Sequence, residues 1–271
     1  MSDAAATGTL YCLPIPLGPE QSPAQCLPAP TLAIAARLDC FVVENARTAR
    51  AFLKQVPTAH VLQQIEIHEL NEHTPADRLQ ALLAPLRQGR DVGLMSEAGC
   101  PGVADPGAEL VALAHRHGIR VVPLVGPSSL LLALMASGLD GQHFAFVGYV
   151  PAQADERLRR LQALEQRSAR QRESILMIET PYRSQALFDS LLACLSPGTR
   201  LTVASALTLA DESIRTATVA DWREAPATLG KVPTVFGLLA VPQDRVGKEG
   251  TRTAPHRPVD RRGPLPRRGP R

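Results

Sequence analysis

Short apolar runs and longer amphipathic stretches alternate through most of the chain. Runs at 9–13, 40–43, 119–122, 174–178 and 201–204, each bounded by glycine, proline or polar residues, predict buried strands, as does the run just before Gly93. Residues 65–72 alternate, and 214–219 and 234–241 give alternating or apolar strands. Between them lie helical patterns at 31–38, capped by Thr31, and at 48–55, 109–117, 130–137, 156–173 and 184–195. Leu79, Leu82, Leu83 and Leu86 recur at helical spacing and predict a core stripe. The expected class is α/β, helices packed on sheets.

The strand ends carry the unusual chemistry. Residues 93–107 read Gly-Leu-Met-Ser-Glu-Ala-Gly-Cys-Pro-Gly-Val-Ala-Asp-Pro-Gly, a strand running into a glycine- and proline-shaped loop before a helix resumes. Loops at the carboxyl ends of strands are where open α/β sheets hold ligands, because backbone amides there approach a ligand closely. A plain strand-to-helix connection has the same local signature. Polar groups also meet strand ends at Glu44-Asn-Ala-Arg47 and Glu179-Thr-Pro-Tyr-Arg183, and Val122-Pro-Leu-Val-Gly-Pro-Ser128 opens an apolar helix. Ser128 or Ser129 serves there either as an N-cap or beside a ligand using the same free amides.

Composition narrows the classes. With 271 residues, two domains are expected, and 45% hydrophobic with 20% charged residues is ordinary for a soluble globular chain. No apolar run is long enough for a membrane span, and the leader at 1–7 lacks signal-peptide features, so a cytoplasmic protein is expected. Five cysteines without a C-x-x-C pair suggest neither zinc nor disulfides. His68 has no partner at metal-ligand spacing and reads as a surface or hydrogen-bonded histidine, so no metal is expected. The net charge of +3 hides an asymmetry: 243–271 hold nine Lys and Arg against three acids, leaving the rest of the chain at −3. That basic, proline- and glycine-rich tail is expected to be disordered, and polyanion binding must use it or a local patch such as the arginines of 156–173. The absence of G-x-G-x-x-G and Walker sequences excludes a Rossmann dinucleotide site and a P-loop.

Taken in order, Tyr11-Cys-Leu-Pro-Ile-Pro-Leu-Gly18, Glu44-Asn-Ala-Arg47, His68-Glu-Leu-Asn-Glu72, Ser96-Glu-Ala-Gly-Cys-Pro101, Asp105-Pro-Gly107, Val122-Pro-Leu-Val-Gly-Pro-Ser128, Phe146-Val-Gly-Tyr-Val-Pro151 and Ile178-Glu-Thr-Pro-Tyr-Arg183 resemble the tetrapyrrole methylase-like family of S-adenosylmethionine (SAM) dependent methyltransferases. Within it the chain is most similar to the branch that methylates ribose 2′-hydroxyls of small-subunit ribosomal RNA. The resemblance runs from about Gly8 to Val241.

The resemblance implies two α/β domains with mixed sheets and an interdomain cleft: 8–122, a linker at 123–127, and 128–242, usually in a homodimer. It implies SAM in that cleft, contacted by Pro16, Gly99, Cys100, Val103, Ser128, Ser129, Ile178 and Leu207, and no metal. RNA contacts would fall on Arg47, Asn71, Glu72, Tyr182 and Arg183. The chain departs from the branch pattern at Glu97 and Cys100, where Asp and Thr are usual, and at Asn45, Ala206 and Lys231, where carboxylates are usual.

Methyl transfer is an in-line displacement governed by positioning, and a ribose hydroxyl benefits from a group that takes its proton. Glu44, Glu97, Asp105 and Glu179 are the candidate proton acceptors. Methylation of a tetrapyrrole, and SAM binding without catalysis, remain as alternative readings at this point.

Overall fold

The computed structural model describes residues 7–71 and 74–240. Strand β1 (Thr9–Cys12) leads through α1 (Pro23–Cys26) and α2 (Ala29–Arg37) to β2 (Cys40–Val43), and α3 (Ala46–Leu53) to β3 (Glu66–Glu69). Helices α4 (Ala76–Leu82) and α5 (Ala84–Arg87) precede β4 (Val92–Met95), and α6 (Ala108–Arg116) precedes β5 (Arg120–Pro123). These strands form one sheet in the order β3-β2-β4-β1-β5.

Every pairing in that sheet is parallel. The expectation of mixed sheets therefore does not hold for this one. The physical reason is that each connection between its strands contains a helix, which returns the chain to the same end of the sheet. Burial follows: β2 and β4 are covered on both faces, the state in which a strand reads as one continuous apolar run. Gly93 sits opposite Phe41, and a Cβ there would lie 2.6 Å from the Phe41 ring. Glycine is what leaves room for that ring.

The second sheet is mixed. After α7 (Ser129–Ser137) come β6 (Phe144–Phe146), α8 (Ala154–Gln171), β7 (Ser174–Glu179), α9 (Ser184–Cys194), β8 (Arg200–Ser205), β9 (Ser213–Thr218), α10 (Val219–Glu224) and β10 (Thr234–Leu239). The order is β6-β7-β10-β8-β9, with only β6 and β7 parallel. Trp222 of α10 anchors this half, its indole N–H donating to the Leu201 carbonyl at 2.8 Å and its ring meeting Phe188 edge-on. Two α/β layers, one parallel and one mixed, thus carry the chain.

Several elements differ from the sequence expectation in detail. Thr31 does not cap its helix: α2 starts at Ala29, and the buried Thr31 hydroxyl donates to the Val125 carbonyl at 2.8 Å, tying the helix to the segment after β5. The leucine stripe is one buried surface, but Pro85 splits its helix into α4 and α5. Helix α10 was not expected, although Thr218 and Asp221 stand at capping-box spacing; their box starts the helix directly from a strand. Among the described residues no helix is long and apolar enough to cross a membrane.

Candidate functional site

Three exits of the parallel sheet are knitted together. Ile15, after β1, exchanges backbone hydrogen bonds with Gly99, after β4, at 3.0 and 3.2 Å. The Cys100 thiol donates to the Pro127 carbonyl at 3.4 Å, joining the β4 loop to the segment after β5. Gly99 holds φ +69, a conformation that glycine adopts without strain. At Gly126 a Cβ would stand 2.4 Å from the Pro14 side chain, so only a glycine lets these loops meet.

Loops of the mixed sheet face them. Thr208, after β8, exchanges hydrogen bonds with Gln21 at 3.0 and 3.3 Å, and Gly18 packs against Leu209. A cavity of about 260 Å³ lies between, with walls that include Gly99, Cys100, Val103, Ser128, Ser129, Ile178 and Leu207. Thus seven of the eight residues expected at a cofactor line one space. The exception is Pro16, which is buried in the first loop, while its neighbour Leu17 reaches the cavity.

Helix α7 begins at this cavity. Ser128 occupies the N-cap position yet makes no side-chain cap hydrogen bond. The capping alternative therefore does not account for Ser128, and the first amides of α7 are not closed by that side chain.

Beside the cavity lies a larger, polar one of about 950 Å³, bordered by Glu44, Asn71, Glu97 and Asp105. Its carboxylates are partly spoken for. Glu44 accepts the Glu97 N–H at 3.0 Å, and Glu97 accepts the Thr48 hydroxyl at 3.1 Å. Asp105 is different: burial, reinforced by the Glu44 and Glu97 charges, pushes its carboxyl up to about 6. Glu179 is buried and held on both oxygens, by the Thr180 N–H at 2.7 Å and the Arg183 guanidinium at 2.6 Å.

The expected RNA contacts divide. Asn71 borders the polar cavity; Arg47 and Tyr182 are exposed outside both linings; Arg183 is committed to Glu179 and the Val150 carbonyl. Glu72 lies outside the described residues, as does the basic tail. Asn45 accepts the Arg47 and Thr48 N–H groups and caps α3, which explains a polar residue at that strand exit without reference to a ligand. His68 is hydrogen bonded to Glu66 at 2.7 Å. Those two side chains and the Cys40 sulfur lie within 4.8 Å of one another, a possible cation ligand set in which Glu66 already pairs with Arg90 at 2.7 Å.

Tyr149 and Ala104 were missed. Tyr149 follows Gly148, which has φ +69, at the exit of β6; the Gly-Tyr pair after an apolar run was the one local signal. Its phenol is raised above the ordinary value by burial, then by Asp105, Glu179 and Glu44. Ala104 holds φ +65 and Ala206 φ +51, and both line the smaller cavity. Left-handed backbone at a residue with a Cβ costs about 1–2 kcal/mol, so strain is concentrated in these walls.

A parallel and a mixed sheet whose exit loops enclose a largely apolar cavity beside a polar one define an α/β protein. The family model of the tetrapyrrole (corrin/porphyrin) methylases matches residues 27–222, and the chain belongs to that family. Ribosomal RNA small subunit methyltransferase I of Mesorhizobium japonicum is 35% identical over 68% of this chain and 60% of its own length. The protein of that name from Neisseria meningitidis serogroup B is 33% identical, over 83% and 72%. The Synechocystis protein of that name is 36% identical over 63% and 58%, so the chain spans about three fifths of the length of two of these relatives. In fold, the methyltransferase CobJ matches with a TM-score of 0.56 over 87% of this chain and 95% of its own, at 20% identity.

Proposed function

We propose that the chain is a SAM-dependent methyltransferase that methylates a ribose 2′-hydroxyl in small-subunit ribosomal RNA. The observation that carries this reading is the pair of adjoining cavities, one apolar and walled by strand-exit loops, one polar and wide. The names of the sequence relatives support the choice of substrate.

The smaller cavity suits SAM in its chemistry. Apolar side chains such as Val103, Ile178 and Leu207 provide surfaces for an adenine ring, the loop backbone at Gly99 and the start of α7 provide polar groups, and nearby carboxylates favour a cation. When bound, SAM supplies an electrophilic methyl group on a positively charged sulfur. Gly99, Cys100, Val103, Ser128, Ser129, Ile178 and Leu207 hold it in this reading, and the rigid knit of the β1, β4 and β5 exits fixes its orientation.

Glu44, Glu97 and Asp105 make the polar cavity acidic. A nucleoside presents neutral base and hydroxyl groups there while its phosphates stay outside with the exposed Arg47. A tetrapyrrole carries carboxylates around its whole ring and cannot keep them out of an acidic cavity, which argues against that alternative. Asn71 and Tyr182 are proposed as further RNA contacts, with Arg183 acting through Glu179. The division into 8–122 and 128–242 about a connector at 123–127, and a cytoplasmic location, are part of the same proposal.

The test is methyl transfer from labelled SAM to small subunits from a strain lacking its own enzyme of this kind. Label in ribose at a defined nucleotide is expected. Calorimetric SAM binding with no label in RNA defeats the RNA reading.

A homodimer belongs to this proposal as well. Helix α7 is apolar all round: Leu130, Ala133 and Leu134 face the core, while Leu131 and Met135 are 53% and 80% exposed, with Val125 and Phe144 also exposed. Met135→Glu is expected to convert a dimer at ~10 µM to monomer in sedimentation velocity, with an unchanged circular dichroism spectrum. A monomeric parent chain at that concentration rules the interface out.

A further inference from the structure

Methyl transfer to a hydroxyl needs two things at one place: the donor's methyl group and a group that removes the hydroxyl proton. In this chain that place is narrow. The apolar and the polar cavity share three lining residues, Ala104, Asp105 and Tyr149. Ala104 has no polar side chain, and Tyr149 is a phenol kept protonated by its surroundings. Glu179 borders the apolar cavity alone and is held by Arg183, whereas Glu44, Glu97 and Glu109 border the polar cavity alone.

We propose that Asp105 is the proton acceptor for the methylated hydroxyl. The inference rests on the functional reading above and selects one carboxylate from four. As the hydroxyl oxygen bonds to the methyl carbon, its O–H proton passes to an Asp105 oxygen. The electron pair of the carbon–sulfur bond stays on sulfur, which leaves as a neutral thioether. The positive charge lost at sulfur reappears as the proton on the carboxyl, so charge and atoms balance.

The surroundings of Asp105 suit that role. Glu44 and Glu97 lie on the polar side, the Cys100 thiol is on its own loop, and Tyr149 comes from the facing sheet. Burial and two neighbouring negative charges make it a stronger base than an ordinary carboxylate, poised at about 6. Ala104, in the left-handed conformation immediately before it, fixes where the side chain leaves the backbone.

The experiment compares the full chain with Asp105→Asn and Asp105→Glu. Three quantities are read: SAM affinity by calorimetry, turnover on small subunits against pH, and the infrared carboxylic-acid band of Asp105 against pH without RNA. Expected are a loss of roughly 10²–10⁴-fold in kcat for Asp105→Asn, with SAM affinity within about threefold, and partial rescue by Asp105→Glu. The parent kcat/KM should rise with pH and level off above about 6, the acid limb should be absent from Asp105→Asn, and the band should vanish over the same range.

A kcat loss under about tenfold, or an acid limb that persists in Asp105→Asn, overturns the proposal. So does a parallel loss of SAM affinity, which makes Asp105 a donor-holding residue, or a band that titrates in the ordinary carboxylate range. If the parent chain binds SAM and transfers nothing to RNA, the functional reading fails and this inference falls with it. An active parent with an equally active Asp105→Asn overturns the inference alone.

Discussion

Replacing Arg183 with methionine is expected to lower the melting temperature by roughly 4–12 °C, the counterpart of about 2–3 kcal/mol in a chain of this size. The Glu179 side chain is 1% exposed, and the guanidinium that neutralises it lies 2.6 Å away while also donating to the Val150 carbonyl at 3.1 Å. Methionine keeps much of the apolar stem but leaves a buried carboxylate with no counter-ion, which is the costly half of breaking such a pair. Arg183 is itself 39% exposed, which holds the expected loss below that of a fully buried pair. In the double variant Glu179→Gln/Arg183→Met the charge is gone, and most of the loss should be recovered in thermal unfolding. Should the double variant be no more stable than Arg183→Met, the contribution comes from the arginine's bond to Val150 and not from the charge. The pair therefore braces the exit of β7 against the segment after β6, where both border the cavity.

Glu179 and Asp105 looked equivalent in the sequence, each an acid in a proline-containing loop after a strand. The exits themselves were legible because glycine and proline record backbone demands: Gly126 must be small against Pro14, and Gly99 must take a positive φ. Buried strands such as β2 and β4 were legible because parallel strands covered on both faces have no polar side to interrupt the run. What the carboxylates do was not legible, because it depends on partners far away along the chain or on which cavity they reach. Thr31 makes the same point for a hydroxyl: its helix-start position suggested a cap, and a carbonyl at Val125 claimed it. Sheet order was hidden for the same reason, since β10 inserts between β7 and β8 by antiparallel pairings that leave no local signature.

Asp105→Asn is expected to make the protein more stable at pH 8 while making it a poor catalyst. A carboxyl raised to about 6 in the folded chain, against an ordinary 3.8, releases its proton more readily when the chain unfolds. Above pH 6 the folded state therefore carries the cost of an ionised group among Glu44 and Glu97; below about pH 3.8 the carboxyl is protonated in both states and the cost is gone. A displacement of that size corresponds to about 3 kcal/mol, and solvent at the partly open site reduces it to ~1–2 kcal/mol. Asparagine removes the charge and keeps the shape, so its gain of roughly 2–8 °C in melting temperature at pH 8 should shrink steadily between pH 6 and pH 4. A structural role for Asp105 predicts the opposite sign at pH 8, a net loss of stability on substitution. A variant that gains stability only where the acid would be ionised, and loses turnover there too, ties the strain at this junction to the proton it is placed to receive.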